Sequence, residues 1–97
     1  MTSTTLFVYD ITSDRARNKI AQICQDYGLT RIQYSAFLGS MTTTRQEELW
    51  LKCKRVLSDG AGNLQLFVLT PQDLARSRKY VRYSLSEEKQ LTAGAAV

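Results

Sequence analysis

The chain reads as an α+β protein, a two-layer sandwich of ferredoxin-like type. Three observations point there. The elements follow in the order β-α-β-(β)-α-β. Both long helices are apolar along a single stripe, so each packs on one side only. The first and last of the clear strands, Leu6–Tyr9 and Leu64–Leu69, are apolar on alternate faces at once, as buried central strands are.

The first strand runs from about Thr5 to Tyr9, with Leu6 and Val8 on one face and Phe7 and Tyr9 on the other. Asp10 follows where that strand ends, and Thr12 or Ser13 opens a helix. This helix spans about Asp14 to Tyr27. Ala16, Ile20, Ile23, Cys24 and Tyr27 form its buried stripe, and Gly28 is its C′ residue. Arg31 to Gly39 alternates through Tyr34 and then stops alternating at Ala36-Phe37-Leu38. It is one kinked or bulged element, or two very short strands, with the break near Tyr34-Ser35.

Thr44 and Glu47 have capping-box spacing at the start of the second helix, whose stripe is Leu49, Cys53, Val56 and Leu57. Ser58 to Asn63 is a loop, and a strand follows over Leu64–Leu69. Thr70-Pro71-Gln72-Asp73 starts a short helix, with Pro at N1 and Asp at N3. Lys79 to Ser84 alternates as a last strand, and the chain past Glu88 is expected to fray. The expected organisation is one domain over residues 1–84 and a flexible tail over 85–97.

Two helices cover one face of such a sheet. The second apolar face needs a cover, and a two-fold partner supplies it, so a homodimer is expected. The last strand, Tyr80–Ser84, is placed to extend the partner's sheet edge.

Composition removes several kinds of chemistry. The 97 residues include no histidine, which excludes Ser-His-Asp and Cys-His nucleophile systems and histidine-ligated zinc. Cys24 and Cys53 lack metal-ligand spacing and sit at apolar helix positions, as buried hydrophobes do. Apolar runs fall short of the ~18 residues a membrane helix needs, and no signal-peptide pattern opens the chain. A cytoplasmic protein with no membrane association is the expectation.

A catalyst built from this chain relies on carboxylates, a hard cation and oxygen nucleophiles. Asp10 is the sharpest candidate, read either as a turn residue or as a metal ligand. A sheet-to-sheet dimer brings two Asp10 carboxylates together. Their repulsion is relieved by a cation between them, and Mg²⁺ suits such an oxygen site with waters retained. Ser13 and Asp14 read as caps of the first helix that also lie within water-mediated reach of such a metal. Tyr9 faces away from Asp10 and reads as a core or dimer-face aromatic.

The 13 Lys and Arg residues exceed the 9 Asp and Glu, leaving +4, a balance suited to a polyanionic partner. They cluster as Arg15, Arg17 and Lys19 just after Asp10; as Arg31; as Lys52, Lys54 and Arg55; and as Arg76, Arg78, Lys79 and Arg82. The last group is interleaved with Tyr80 and Tyr83, a mixture that tracks a phosphate backbone and stacks on bases. RNA or DNA binding is the reading.

Leu6-Phe7-Val8-Tyr9-Asp10-Ile11, then Arg17, Tyr27-Gly28-Leu29 and Arg31-Ile32-Gln33-Tyr34-Ser35-Ala36-Phe37-Leu38-Gly39 resemble the small CRISPR-associated endonuclease family counted second among the Cas proteins (Cas-two). The likeness runs in order and spacing over about residues 5–84.

The resemblance implies a ferredoxin-like homodimer whose strand-end aspartates face each other and whose last strand crosses to the partner. It implies that Asp10 is the catalytic, metal-binding residue, and that Tyr9, Arg17, Arg31 and Phe37 belong around the active cleft. It implies Mg²⁺-dependent cleavage of single-stranded RNA or of DNA, and a bridging role with the CRISPR integrase protein during spacer insertion. In that role the dimer acts as a DNA-binding scaffold without catalysis. A toxin-like ribonuclease of the same fold outside CRISPR is a further reading. A ferredoxin-like regulatory module for a small ligand is disfavoured, since no glycine-rich loop lies near Asp10.

The chain departs from the family pattern in places. Ser13 stands where a further acid is common, Ala36 where valine is common, and the tail past Glu88 matches nothing in the family.

Overall fold

The computed structural model describes residues 2–82. Its elements are β1 (Thr2–Ile11), α1 (Asp14–Asp26), β2 (Thr30–Gln33), β3 (Ala36–Thr42), α2 (Thr43–Leu57), β4 (Gly62–Leu69) and α3 (Pro71–Ala75). The strands form one four-stranded sheet in the order β2-β3-β1-β4, and every neighbouring pair is antiparallel. This is the ferredoxin-like arrangement. The two central strands are separated in sequence by a helix and a strand, so the sheet closes only through non-local pairing.

Alternation along β1 sorts the sheet into two faces. Thr5, Phe7, Tyr9 and Ile11 are buried, and they join Phe37 and Met41 of β3, Ile20 and Cys24 of α1, and Leu49 and Cys53 of α2 in the core. That is the helix-covered face. Thr5 is polar within it, and its hydroxyl accepts a 2.8 Å hydrogen bond from Gln46 Nε2 of α2, which removes the cost of burying it bare. Leu6 and Val8 point the other way and are only half-buried, Asp10 is exposed, and Phe67, beside Leu6 in the register, is 45% exposed.

Local chemistry explains where elements stop. Ser13 caps α1, its hydroxyl accepting from the Ala16 amide at 3.2 Å. At the other end Gly28 adopts φ +88°. The Gly28 amide donates to the Gln25 carbonyl and the Leu29 amide to the Cys24 carbonyl, the bond pair of a Schellman motif. Leu29 then turns into the core. Thr70 and Asp73 complete a reciprocal capping box at α3, with Pro71 at its first position.

The Arg31–Gly39 stretch is two strands, the second of the expected alternatives, with the turn at Tyr34-Ser35 as read and an extra residue in β2 between Arg31 and Gln33. Other expectations need correction. β3 continues to Thr42 because β1 extends back to Thr2 and offers it a ladder. Helix α2 accordingly starts two residues before Thr44-Glu47, on the cap Thr42, whose hydroxyl accepts from the Arg45 amide. Thr44 therefore caps nothing. Ala21 joins the buried face of α1.

The expected last strand is absent over Lys79–Arg82, which have no regular structure; a strand exists only through a paired neighbour. Tyr83, Ser84 and the expected tail, residues 85–97, lie outside the described residues.

Candidate functional site

Asp10 lies one residue before the end of β1, paired with Asn63 of β4. Its side chain is exposed on the face opposite the helices and makes no hydrogen bond or ion pair among the described residues. The backbone around it is closely held. Gly62, opposite Ile11, has φ +148°, and a Cβ there would stand 2.7 Å from the Asp10 carbonyl oxygen. Asp10 thus sits on a rigid strand end with its carboxylate free.

The other side of the same strand end is a packed aromatic cluster. Tyr9 and Phe37 stack with centroids 6.2 Å apart and planes 15° from parallel. The Arg31 guanidinium lies 5.0 Å from the Phe37 centroid and 5.7 Å from that of Tyr34. Burial pushes the Tyr9 phenol up, and the neighbouring Arg31, through hydrogen bonding and then charge, offsets part of that. The contact is an imperfect one: both the Tyr9 hydroxyl and Arg31 Nε are buried, and neither makes a well-formed hydrogen bond among the described residues. Of the four residues that the resemblance puts around the active cleft, Tyr9, Arg31 and Phe37 are therefore one physical unit, Arg17 stands apart, and the unit lies across the sheet from the Asp10 carboxylate.

Arg17 has a different task. It reaches back to donate to the Ile11 carbonyl at 3.1 Å and pairs with Asp14, tying the start of α1 to the end of β1. Ser13 and Asp14 are both spent on this junction. Arg15 and Lys19 stand exposed on α1 and line an open groove shared with Thr12, Ser13 and the Ser58–Ala61 loop. Arg76, Arg78, Lys79 and Arg82 are all exposed. Their segment leaves β4 beside Thr4, six residues along β1 from Asp10, a strand path of about 20 Å.

Sequence reasoning passed over Tyr34. It is 70% exposed in the β2–β3 turn, and the Tyr9 amide donates to the adjacent Ser35 carbonyl at 3.1 Å. The turn is thereby fixed beside the end of β1. The available signal was an aromatic ring at a turn position, where small polar residues are usual.

The described residues hold no cluster of three or more His, Cys, Asp or Glu side chains fit for a metal ion. Asp10 offers one exposed hard-oxygen ligand. That fits half of a magnesium site completed by water and a second carboxylate, and it does not fit a full cage within one chain. No described helix is long and apolar enough to cross a membrane.

These features define a class: a ferredoxin-like domain with a lone carboxylate at the end of its central strand and an uncovered apolar sheet face. Residues 3–77 match the family model for CRISPR associated protein Cas2. The chain belongs to the Cas2 family.

Among its relatives, the CRISPR-associated endoribonuclease Cas2 of Desulforudis audaxviator is 40% identical over 74 residues, covering 76% of this chain and 70% of the relative. A CRISPR-associated endoribonuclease Cas2 of Chloroflexus aurantiacus is 49% identical over 63 residues, covering 65% of this chain and 74% of the relative. The crystal structure of Streptococcus pyogenes Cas2 superposes with a TM-score of 0.69 at 19% identity, covering 80% of this chain and 99% of that one. At that identity it speaks for the fold alone.

Proposed function

We propose that the chain acts in CRISPR adaptation as a homodimeric nuclease that hydrolyses phosphodiester bonds of RNA or DNA, with a divalent cation, Mg²⁺, held between two Asp10 carboxylates. The observation that carries this reading is the position of Asp10: exposed, without a partner among the described residues, and on the same sheet face as the uncovered Leu6, Val8 and Phe67. Packing that face on its two-fold mate covers the apolar side chains and brings the carboxylates toward the same axis. The names of the relatives, endoribonucleases, agree with it.

Within the chain, each Asp10 contributes one oxygen-rich ligand and Gly62 holds its backbone in place. Arg15 and Lys19, exposed on α1, bind the phosphate backbone, and Arg76, Arg78, Lys79 and Arg82 extend the basic surface. When bound between the Asp10 carboxylates, the cation would polarise a phosphoryl oxygen and activate a water, in a chain that has no histidine for the task.

The test is cleavage of single-stranded RNA and DNA with Mg²⁺ and with chelator, by wild-type protein and Asp10→Ala. The reading expects cleavage to fall at least about 100-fold in the variant while binding persists. Equal cleavage by rigorously purified variant protein would remove Asp10 from catalysis.

A second reading rests on the same thin donor set. With one carboxylate per chain, the dimer serves instead as a basic scaffold that holds DNA for the CRISPR integrase. In that case Asp10→Ala has no effect, and reversing the charges of Arg76, Arg78 and Lys79 weakens DNA binding and flattens its salt dependence.

A further inference from the structure

The mechanism above leaves one conspicuous surface group unused. Tyr34 is among the most exposed aromatics in the described chain, at 70%, yet it is not a loose surface residue. The Ser35 carbonyl accepts from the Tyr9 amide, so the turn carrying Tyr34 is pinned to β1. The β1–β3 register runs Leu6↔Leu38, Phe7↔Phe37, Val8↔Ala36. One step further sets Tyr9 beside Ser35, and the next position on β1 is Asp10. From the inside, the Arg31 guanidinium lies 5.7 Å from the ring centroid. Arg31 is in turn seated against buried Phe37. The ring therefore has a cation behind it and open solvent before it.

We infer that Tyr34, backed by Arg31, is a stacking platform for one unpaired nucleobase of a strand that passes the β2–β3 turn. An aromatic face accepts any base but only one that is not already stacked within a duplex. The guanidinium behind the ring adds to the attraction and supplies positive charge near the flanking phosphate. Among the described residues Arg31 makes no ion pair, so no carboxylate there cancels its charge, and the guanidinium packs against the Phe37 and Tyr34 rings. The substrate class that follows is single-stranded nucleic acid, or a duplex end or bulge with an unpaired base. Tyr34 is a positioning residue: it fixes the register of the strand and takes no part in bond breaking.

This inference rests on the nucleic-acid-binding part of the proposed function and is independent of its catalytic part. The test is binding in chelator, so that no cleavage intervenes, of a labelled single-stranded oligonucleotide and of a blunt duplex of the same length. The proteins compared are wild type, Tyr34→Ala and Tyr34→Phe. Tyr34→Ala is expected to weaken single-strand binding about tenfold and to leave duplex binding unchanged, while Tyr34→Phe binds as wild type does. A photo-cross-link from a halogenated uracil in the single strand should map to Tyr34. If wild type binds single strands and Tyr34→Ala binds them equally well, the ring is not a base platform and is left for contact with another protein. If wild type binds neither nucleic acid, the proposed function falls and this inference with it. Equal losses on single strand and duplex would mean that Tyr34 supports the turn and not a base.

Discussion

Two neighbouring residues, Tyr9 and Asp10, divide the labour of the strand end. Both stand in the same motif, but alternation sends one into the core and the other to the open face. Tyr9 carries a buried hydroxyl with no well-formed hydrogen bond among the described residues, and such a group costs free energy in place. Tyr9→Phe is therefore expected to unfold at equal or higher denaturant concentration, with a gain of up to about 1 kcal/mol, measured by chemical denaturation. A loss of stability would mean that the hydroxyl is satisfied in solution.

The two buried thiols, Cys24 and Cys53, face each other across α1 and α2, and Cys53 and burial together push the Cys24 thiol up. Tyr9 is pushed the same way by burial. For both groups the folded state holds its proton more tightly than the unfolded chain does. Their contribution is complete below the ordinary values of 9.0 and 10.0 and is lost as pH rises beyond them. Stability measured from pH 7 to 11 should thus decline above about 9, and thiol reagents should react only on unfolding. Rapid labelling of the native protein would contradict this.

At the scale of elements, the legible parts were those written in local chemistry. Gly28 as a helix terminator, Ser13 as a cap and the Thr70-Pro71-Gln72-Asp73 start of α3 each follow from one residue's preferences, and each is found as read. What the sequence hid depends on a remote partner. β3 reaches Thr42 only because β1 begins at Thr2, and that displaces the start of α2 from the Thr44-Glu47 pair.

The same limit applies to the site. The motif residues Tyr9, Arg31 and Phe37 were readable as a group, but their separation from the Asp10 carboxylate by the sheet came from the strand's alternation combined with helix placement. Tyr34 was invisible until the turn was seen to be bonded to β1. Gly62 is the element-level support of the site. Because its missing Cβ would meet the Asp10 carbonyl at 2.7 Å, with φ at +148°, Gly62→Ala is expected to destabilise the fold by about 1–3 kcal/mol. Nuclease activity should fall further than stability does, since the shift falls on Asp10. Thermal unfolding alongside cleavage assays checks both, and a variant as stable and active as wild type would contradict the close approach.

At the scale of the molecule, the chain is a half-finished sandwich. One sheet face is sealed by α1 and α2. The other presents Leu6, Val8 and Phe67 next to an exposed carboxylate. Among the described residues nothing covers that face, and no group of three or more metal-ligating side chains gathers there. Pairing two chains answers both deficits at once, which is why the proposed chemistry requires the proposed dimer.

Subunit mixing separates a shared site from two independent ones. Wild-type protein is exchanged with an equal amount of Asp10→Asn protein until the dimers are redistributed, and the rate of single-strand cleavage with Mg²⁺ is measured. If each site needs both carboxylates, only dimers of two wild-type chains cleave. About one quarter of the dimers are then active, so activity per wild-type chain falls by about half. Activity that stays proportional to the number of wild-type chains would contradict the account, because each Asp10 would then be working alone.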